Sequence, residues 1–431
     1  MRYFAEQAWV GGRVERDVLI EVTGDRFTAV TPGARPEGTR LRGLVLPGFA
    51  NAHSHAFHRA LRGRTHAGRG SFWTWRELMY QVAGRLDPDS YRALARAVYG
   101  EMALAGITSV GEFHYLHHGP DGTRYADPNA MGHALIEAAR EAGIRITLLD
   151  AVYLTAGVDG KPLEGVQERF GDGDYDGWWS RFEQLRGGDG VRIGAALHSV
   201  RAAPVDGMAT FAQRTDGLPV HVHLSEQPAE NEACQAVHGC SPTELLDRLG
   251  VWQPMTTAVH ATHLSAADTR MLDEQFVCFC PTTERDLADG IGPARALADA
   301  GAVLTLGSDS HAVIDPFEEA RGLEMDERLA TRQRGHFGAA ELITAATTAG
   351  HASLGWPDAG EIAVGGRADL VAVSLDTART AGTDPGGLVF AATAADVTDV
   401  IVDGRHVVTE GRHRSMDVPA ELRAAIMEVV A

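Results

Sequence analysis

The sequence predicts an α/β fold: a (β/α)8 TIM-like barrel with a small β-sandwich domain formed from both chain termini. Strand-like runs occupy both ends of the chain, eight short apolar runs lie between them, and helical patterns separate most of those eight. A barrel of this kind takes about 250 residues before insertions. The chain has 431 residues, so it can hold both parts. We therefore expect the sandwich at residues 1–47 and 356–431 and the barrel at residues 48–355.

Both termini alternate apolar and polar residues as half-buried strands do. The N-terminal segment contains AEQAWV, DVLIEV and RFTAV, separated by glycine-containing turns, and the C-terminal segment contains ADLVAVSL, DVTDVIVDG and RHVVTEG. Neither segment is long enough to form a core alone. We therefore expect them to pair with each other beside the barrel.

The middle of the chain carries the barrel pattern. A helix is expected in the segment LDPDSYRALARAVYGEMALAG. It should begin with Asp87 as its N-cap and Pro88 in its first turn, and it should end at Gly106. SPTELLDRLG has the spacing of a capping box, with Ser241 and Glu244 three residues apart. The eight runs expected as barrel strands are GLVLPGF, ITSVGEF, RITLLDA, RIGAALH, PVHVHLS, TTAVHAT, FVCFCP and AVLTLGSD.

Composition excludes several classes of partner. The chain has 39 basic and 58 acidic residues, and its net charge of −19 argues against binding to nucleic acid or anionic membranes. It has no apolar run of signal-peptide or membrane-span length, so we expect a cytoplasmic protein. None of the four cysteines forms a C-x-x-C pair, and Cys278 and Cys280 are expected as small buried side chains. An anionic substrate would need local arginines to capture it.

Histidines and an aspartate follow the predicted strands. NAHSHAF, after the first run, places His53 and His55 two residues apart, so in an extended segment both imidazoles point the same way. The fifth, sixth and eighth runs lead to His223, His260 and Asp309. Each residue alone is weak evidence, because a histidine at a strand end is commonly structural. Together they should meet at the carboxyl rim of the barrel, and such donors suit Zn²⁺ or Fe²⁺.

Two segments link the chain to a known superfamily. PGFANAHSH near the start and GEIAVGGRADLVAV near the end resemble the terminal motifs of the amidohydrolase superfamily, which implies a metal-dependent hydrolase barrel over nearly the whole chain. Binuclear members often bridge two metals with a carbamylated lysine at the end of strand four. Here that strand ends at His198, and the chain's one lysine, Lys161, lies elsewhere. The H-x-x-E of His223 and Glu226 resembles the mononuclear deaminase branch.

The resemblance implies a ligand set and catalytic roles. One divalent metal ion per subunit, Zn²⁺ first and Fe²⁺ as the alternative, would be held by His53, His55, His223 and Asp309. Asp309 would also accept a proton from the attacking water, and His260 would polarise the reacting group or assist proton transfer. Glu226 would protonate the departing nitrogen, which is otherwise a very poor leaving group.

Three further segments point to a substrate. SFWTWRELMYQ, GEFHYLHHGPDGTRYADP and ALHSVRA resemble the formimidoylglutamate deiminase family, which converts N-formimino-L-glutamate and water into N-formyl-L-glutamate and ammonia in histidine degradation. The partner would be a small anionic amidine, and relatives suggest a homodimer. That family commonly has glutamine where this chain has His58. The substrate-binding positions correspond here to His58, Arg76, Tyr115, His198 and Arg201.

Two other functions compete with this interpretation. Another mononuclear deaminase, acting on guanine or a similar heterocyclic amidine, would keep the metal ligands but has no use for two separated arginines. A barrel that binds without catalysis would not need the complete ligand set together with Glu226 and His260. A hydrolase of ring amides is disfavoured by the missing strand-four lysine.

Overall fold

Two eight-stranded sheets organise the chain in the computed structural model, which describes residues 1–66, 70 and 72–430. One sheet combines the first four and the last four strands. The other contains the eight strands between them in sequential order, each parallel to the next. Parallel strands in sequential order, with helices in their connections, form a (β/α)8 barrel. The predicted fold class is confirmed, and the domain boundaries stay a prediction.

The described residues form sixteen strands, which are numbered in chain order. They are β1 (Arg2–Val10), β2 (Arg13–Thr23), β3 (Arg26–Thr31), β4 (Thr39–Pro47), β5 (Phe49–Ser54), β6 (Ile107–His114), β7 (Arg145–Val152), β8 (Val191–Leu197), β9 (Val220–Leu224), β10 (Thr256–His260), β11 (Phe276–Phe279), β12 (Val303–Leu306), β13 (Leu370–Val373), β14 (Val397–Val402), β15 (Arg405–Thr409) and β16 (Arg412–His413).

Helices occupy most of the connections between barrel strands. They are α1 (Phe72–Ala83), α2 (Pro88–Leu104), α3 (Ala130–Ala142), α4 (Tyr175–Phe182), α5 (Val205–Arg214), α6 (Pro228–His238), α7 (Pro242–Arg248), α8 (Ala266–Met271), α9 (Pro281–Asp286), α10 (Ala294–Asp299), α11 (Pro316–Thr331), α12 (Ala339–Thr344), α13 (Gly350–Ser353) and α14 (Val418–Val430). Two short 3₁₀ segments, Ala56–Leu61 and Gly165–Arg169, lie above the barrel rim near the site described below.

Helix caps follow the predicted signals with one exception. The Asp87 carboxylate accepts from the Ser90 backbone at 2.8 Å and the Ser90 hydroxyl accepts from the Asp87 backbone at 2.9 Å, which starts α2. At α7 the Ser241 hydroxyl accepts from the Glu244 backbone at 3.1 Å. The Glu244 carboxylate, however, pairs with Arg248 on the next turn. The reciprocal half of the predicted capping box is therefore not formed, because a cation competes for the carboxylate.

The predicted first barrel strand was wrong in its position. The run GLVLP belongs to β4, where Leu44 pairs with Gln7 of β1 on one side and Val373 of β13 on the other. The first barrel strand is β5, which begins two residues after Pro47 and contains His53. GLVLP is apolar and β5 (FANAHS) is half polar, but both are largely buried and only Gly48 separates them, so burial does not distinguish them. Their distant pairing partners do.

Backbone contacts between the first strand and the segment after the last close the barrel. Ser54 and Asp309 form a parallel bridge, the carbonyl of His53 accepts from the Asp309 N–H at 3.0 Å, and the His55 N–H donates to the Asp309 carbonyl at 3.2 Å. A Cβ on Gly307 would lie 2.8 Å from the Cβ of His53. Glycine at this position therefore permits the close approach that seals the barrel.

A buried ion pair joins the barrel to the terminal sheet. Arg145, at the start of β7, donates to Asp369 just before β13 through both terminal nitrogens, one bond measuring 3.0 Å, and to Asp403 at 3.0 Å. Arg145 and Asp369 are each 1% exposed. Burial works to raise the pKa of Asp369, but the Arg145 charge outweighs it and holds the pKa below its ordinary value. The carboxylate is therefore ionised at neutral pH.

All four cysteines are buried and free, as predicted for Cys278 and Cys280. Among the described residues, no helix combines the length and apolar character needed to cross a membrane.

Replacing Asp369 tests the junction between the two sheets. Asp369→Ala should lower the free energy of unfolding by about 3–5 kcal/mol, because it leaves the Arg145 charge buried without its main partner. Urea denaturation followed by circular dichroism would measure it. Glu15→Ala is the control, since it removes the pair to Arg13, which is 78% exposed, and should cost no more than about 1 kcal/mol. Equal losses in the two variants would contradict a stabilising junction.

Candidate metal centre and substrate pocket

Four predicted ligand atoms converge at the carboxyl rim of the barrel. Nε2 of His223 lies 3.1 Å from Nε2 of His53 and 3.4 Å from Nε2 of His55. Oδ1 of Asp309 lies 3.4 Å from Nε2 of His53 and 3.3 Å from Nε2 of His55. In a tetrahedral zinc site with bonds of about 2.1 Å, donor atoms lie about 3.4 Å apart. The spacing suits one such ion, and we call His53, His55, His223 and Asp309 the tight set.

Hydrogen bonds orient two of these imidazoles. Nδ1 of His55 donates to the Phe113 carbonyl at 3.0 Å, and Nδ1 of His223 donates to the His198 carbonyl at 2.8 Å. A carbonyl only accepts, so each ring carries its proton on Nδ1 and has a lone pair on Nε2. These are the nitrogens that converge. In the described part of the chain, Nδ1 of His53 has no such partner.

Burial sets the charge of the three imidazoles. Desolvation lowers the pKa of His53, His55 and His223 well below the ordinary value, and neighbouring imidazoles lower it further. All three are therefore neutral at physiological pH. Neutral imidazole is the form that binds a metal ion.

His260 differs from these three in both distance and charge. Its Nε2 lies 3.9 Å from Glu226 and 4.0 Å from Asp309, farther than the spacings within the tight set, and its Nδ1 lies 3.3 Å from Glu284. Burial works to lower its pKa, but the carboxylates of Glu226, Glu284 and Asp309 outweigh it and raise the pKa well above its ordinary value. Its donor atom lies within 4.8 Å of those of His53, His223 and Asp309, which form an alternative ligand group. Nε2 of His55 lies 3.3 Å from Asp309 and Nε2 of His260 lies 4.0 Å from it, and this shorter distance favours His55 as the fourth ligand.

Strained backbone accompanies the ends of these strands. Ser225, His260 and Asp309 have φ angles of 50°, 68° and 40°, in the left-handed region that residues with a Cβ rarely adopt. Such a conformation costs of order 1–2 kcal/mol for each residue. It persists where surrounding contacts impose it, and it clusters at functional sites. Here it turns the chain sharply as the strands of the barrel end.

Glu226 lies at the edge of the metal centre with an altered acidity. It is 8% exposed and follows His223 by three residues. Burial raises its pKa to about 7, against the lowering influence of His260. A carboxyl group with this pKa is partly protonated at neutral pH. It can therefore deliver a proton and recover it.

A cavity that is partly open to solvent adjoins the metal centre. All five predicted substrate-binding side chains line it: His58, Arg76, Tyr115, His198 and Arg201. Trp75, Met79 and Phe170 contribute apolar wall. Pockets of this type bind small molecules by apolar enclosure with a few placed polar groups.

Within the described part of the chain, neither cavity arginine has a close carboxylate partner. Arg201 has Glu230 at 3.8 Å as its nearest carboxylate, and its Nε has no hydrogen-bond partner among the described residues. The Arg76 guanidinium lies over the rings of Trp73 and Tyr80, with its Cζ 4.7 and 5.4 Å from their centroids. Both cations are thus available to anionic groups of a ligand.

His58, the departure from the family's glutamine, is buried in this wall. Its Nε2 lies 3.0 Å from the Tyr115 hydroxyl. Burial lowers its pKa to about 3, so the ring is neutral and adds no charge to the pocket. Like the amide it replaces, it acts as a hydrogen-bonding group.

A third group of potential ligands lies apart from this centre. The donor atoms of His114, His117 and Asp150 fall within 4.8 Å of one another. Arg181, however, donates to both oxygens of Asp150 at 2.7 and 2.8 Å, and the Trp178 indole donates to one of them at 2.8 Å. The carboxylate is occupied by cationic and neutral donors. This group is a buried ion-pair network, not a second metal centre.

Sequence reasoning missed three side chains at the site. Tyr80 and Tyr153 line the cavity, and Glu284 contacts His260. Two signals could have identified the tyrosines. Tyr80 follows Arg76 by four residues, which puts them on one helix face, and Tyr153 directly follows the third barrel strand. Glu284 carries no comparable local signal.

Comparisons with known proteins agree with this geometry. The model of the amidohydrolase family matches residues 44–407. A formimidoylglutamate deiminase of Pseudomonas aeruginosa is 38% identical over 95% of this chain and 95% of its own. An 8-oxoguanine deaminase of the same organism is 31% identical over 98% of this chain and 95% of its own. The crystal structure of an amidohydrolase from Brucella melitensis superposes with a TM-score of 0.90 at 32% identity, covering 100% of both chains.

Two substitutions distinguish the possible ligand groups. His55→Ala should lose the bound metal ion and the activity together, whereas His260→Asn should retain about one ion per chain, because its donor atom lies outside the tight set. Elemental analysis after gel filtration would measure metal content, and circular dichroism would check folding. Retention by His55→Ala with loss by His260→Asn would reverse the assignment.

Proposed function

Because this chain belongs to the amidohydrolase family, we propose that it hydrolyses N-formimino-L-glutamate to N-formyl-L-glutamate and ammonia. The proposal rests on one observation. Arg76 and Arg201 line the same cavity as the candidate metal ligands His55, His223 and Asp309. The amidine of this substrate would lie at the metal centre, and its two carboxylates would bind the two arginines. Identity of 38% to a formimidoylglutamate deiminase over 95% of both chains supports it.

Members of this family depend on metal, and four side chains of this chain fit one ion. We propose that His53, His55, His223 and Asp309 hold a single divalent cation, with zinc as the first candidate. Three neutral imidazole nitrogens and one carboxylate oxygen are donors that zinc and ferrous iron both accept. When bound, such an ion lowers the pKa of a coordinated water to about 7.

The chain's own residues would move the protons. Water attacks the formimino carbon, and Asp309 accepts the proton that the water loses. Glu226, whose pKa of about 7 suits it to both states, delivers a proton to the nitrogen that leaves as ammonia. His260 lies within 4.0 Å of both carboxylates and would polarise the reacting C=N group. One water is consumed and one ammonia is released.

The far wall of the cavity would bind the carboxylates. Arg76 and Arg201 supply the cationic donors, since guanidinium groups bind carboxylates in bidentate fashion. Tyr115, His198 and the neutral His58 supply the remaining hydrogen bonds. Because the chain carries a net charge of −19, this local positive charge has to overcome a repulsive field at longer range.

We propose a cytoplasmic homodimer whose subunits divide at residues 1–47, 48–355 and 356–431. The end of β4 at Pro47 and the end of α13 at Ser353 support the division. Light scattering would test the oligomeric state.

A purine deaminase is the rival function with support of its own, the 31% identity to an 8-oxoguanine deaminase. A neutral purine would leave Arg76 and Arg201 beside apolar atoms with no anion to bind. Desolvating an unpaired cation is costly. The arginine pair therefore favours the dicarboxylate.

Ammonia release separates the two functions directly. The purified protein, loaded with zinc, should release ammonia from N-formimino-L-glutamate and form N-formyl-L-glutamate, identified by mass spectrometry. Guanine and 8-oxoguanine should give rates at least about 100-fold lower, because neither supplies the carboxylates that Arg76 and Arg201 bind, each charged hydrogen bond being worth about 1.5–3 kcal/mol. Faster turnover of either purine would overturn the proposal.

Replacing the proposed acid tests the proton delivery. Glu226→Gln should keep about one metal ion per chain yet lower kcat by about 10²–10⁴-fold, because the amide has no proton to give. Steady-state kinetics with metal analysis on the same preparation would measure both. Glu232→Gln, on the outer part of α6, is the control and should leave kcat unchanged. Normal turnover by Glu226→Gln would exclude its assigned role.

A further inference from the structure

Two tyrosines of the cavity share one amide. Tyr80 lies on α1, Tyr153 follows β7, and Gln167 lies in the 3₁₀ segment Gly165–Arg169. Nε2 of Gln167 donates to both phenol oxygens at 3.1 Å. Its Oε1 accepts from the Glu164 backbone at 3.5 Å, which orients the NH₂ group towards the tyrosines. We call these three residues the tyrosine clamp.

The tyrosine clamp contains one hydroxyl hydrogen more than it has acceptors. Each N–H of Gln167 is used by one phenol oxygen, which leaves two O–H hydrogens to place. At most one of the two hydroxyls can donate to the other. The second finds no acceptor among the described residues. A ligand oxygen in the cavity would supply the missing acceptor.

The spare hydroxyl belongs to the wall that carries the arginines. Tyr80, Tyr153, Arg76 and Arg201 all line the cavity. Tyr80 packs beneath Arg76, and the ring of Tyr153 lies 4.5 Å from that of His198. Burial also raises the pKa of Tyr80 well above its ordinary value, so its hydroxyl stays protonated. This part of the wall thus presents guanidinium and hydroxyl donors.

Resting on the proposed function, we propose that Tyr80 and Tyr153 are specificity-determining residues that donate a hydroxyl hydrogen bond to a substrate carboxylate held by Arg76 or Arg201. Gln167 is a positioning residue, because its two N–H groups occupy the phenol oxygens and leave an O–H for the ligand. A carboxylate oxygen only accepts and suits these donors. A carboxamide brings an NH₂ group that needs an acceptor, so the tyrosine clamp discriminates acid from amide.

A purely structural role is the competing explanation. Both rings pack near Phe170, with centroid distances of 6.0 Å for Tyr80 and 5.2 Å for Tyr153. Phenylalanine at both positions would preserve that packing. Removing the hydroxyls alone therefore separates ligand binding from packing.

The test compares Tyr80→Phe/Tyr153→Phe with the unaltered enzyme. KM for N-formimino-L-glutamate should rise about 10–100-fold, the loss expected for a hydrogen bond to a charged group, while kcat changes less than about threefold. The preference for the diacid over one of its two mono-carboxamide analogues should fall by a similar factor. Unchanged KM and unchanged preferences would overturn the inference.

Gln167→Glu tests the direction of the hydrogen bonds. Its carboxylate would accept both hydroxyl hydrogens, leaving none for the ligand, so KM should rise about 10-fold or more although both tyrosines remain. Tyr175→Phe is the matched control, since its hydroxyl donates to the Pro204 carbonyl at 2.8 Å and does not line the cavity. It should leave KM unchanged. Arg201→Met should raise KM and serves as the positive control.

Binding without turnover distinguishes failure of this inference from failure of the proposed function. If the unaltered enzyme does not deiminate N-formimino-L-glutamate, the proposed function fails, and calorimetry with glutarate decides the inference. Weaker glutarate binding by the double variant would support the tyrosine clamp. Equal affinities, or no binding by the unaltered enzyme, would overturn it. Melting temperature and metal content would be compared for every variant.

Discussion

The site depends on the closure of the barrel between its first strand and the segment after its last. Two backbone hydrogen bonds join His53 and His55 to Asp309, at 3.0 and 3.2 Å. Candidate ligands more than 250 positions apart along the chain are thereby brought together by the main chain itself. Gly307 is part of this constraint, since any larger residue would push the two segments apart.

Burial has opposite and complementary effects on the groups at the rim. Desolvation disfavours charge, so the three imidazoles of the tight set stay neutral and keep their lone pairs for a cation. The same desolvation raises the pKa of the Glu226 carboxyl to about 7, where it can carry a proton. The pKa of His260 is instead raised, because three carboxylates lie near it. One low-dielectric environment thus favours both the proposed ligand set and the proposed acid.

The cavity combines elements that are far apart in sequence. Arg76 and Tyr80 come from α1, Tyr115 and Tyr153 follow β6 and β7, and Arg201 follows β8. A barrel makes this possible because the carboxyl ends of its strands share one rim. The metal side of the cavity is built on strand ends. The opposite wall is built mostly on the connections, where substrate preference can change without disturbing the ligands.

Local pattern was sufficient for the fold class and for the ligand candidates. Alternation and apolar runs predicted the barrel and the pairing of both termini, because each strand buries a defined face. The pair His53 and His55 could be recognised because side chains two apart on a strand point the same way. The superfamily motifs added roles for Glu226 and His260, which spacing alone does not assign. Those predictions rest on residues that are neighbours in sequence.

Contacts between distant segments were decided only by the tertiary structure. GLVLP and the strand after it are both largely buried and adjoin in sequence, so their assignment to different sheets follows from pairing with β1, β13 and β6. Glu284 reaches His260 from the next barrel unit, and Gln167 joins Tyr80 to Tyr153 from a third element. The sequence by itself determined which side chains each strand carries to the rim. Which of them meet depends on the twist, closure and connections of the barrel, and these are properties of the packed chain.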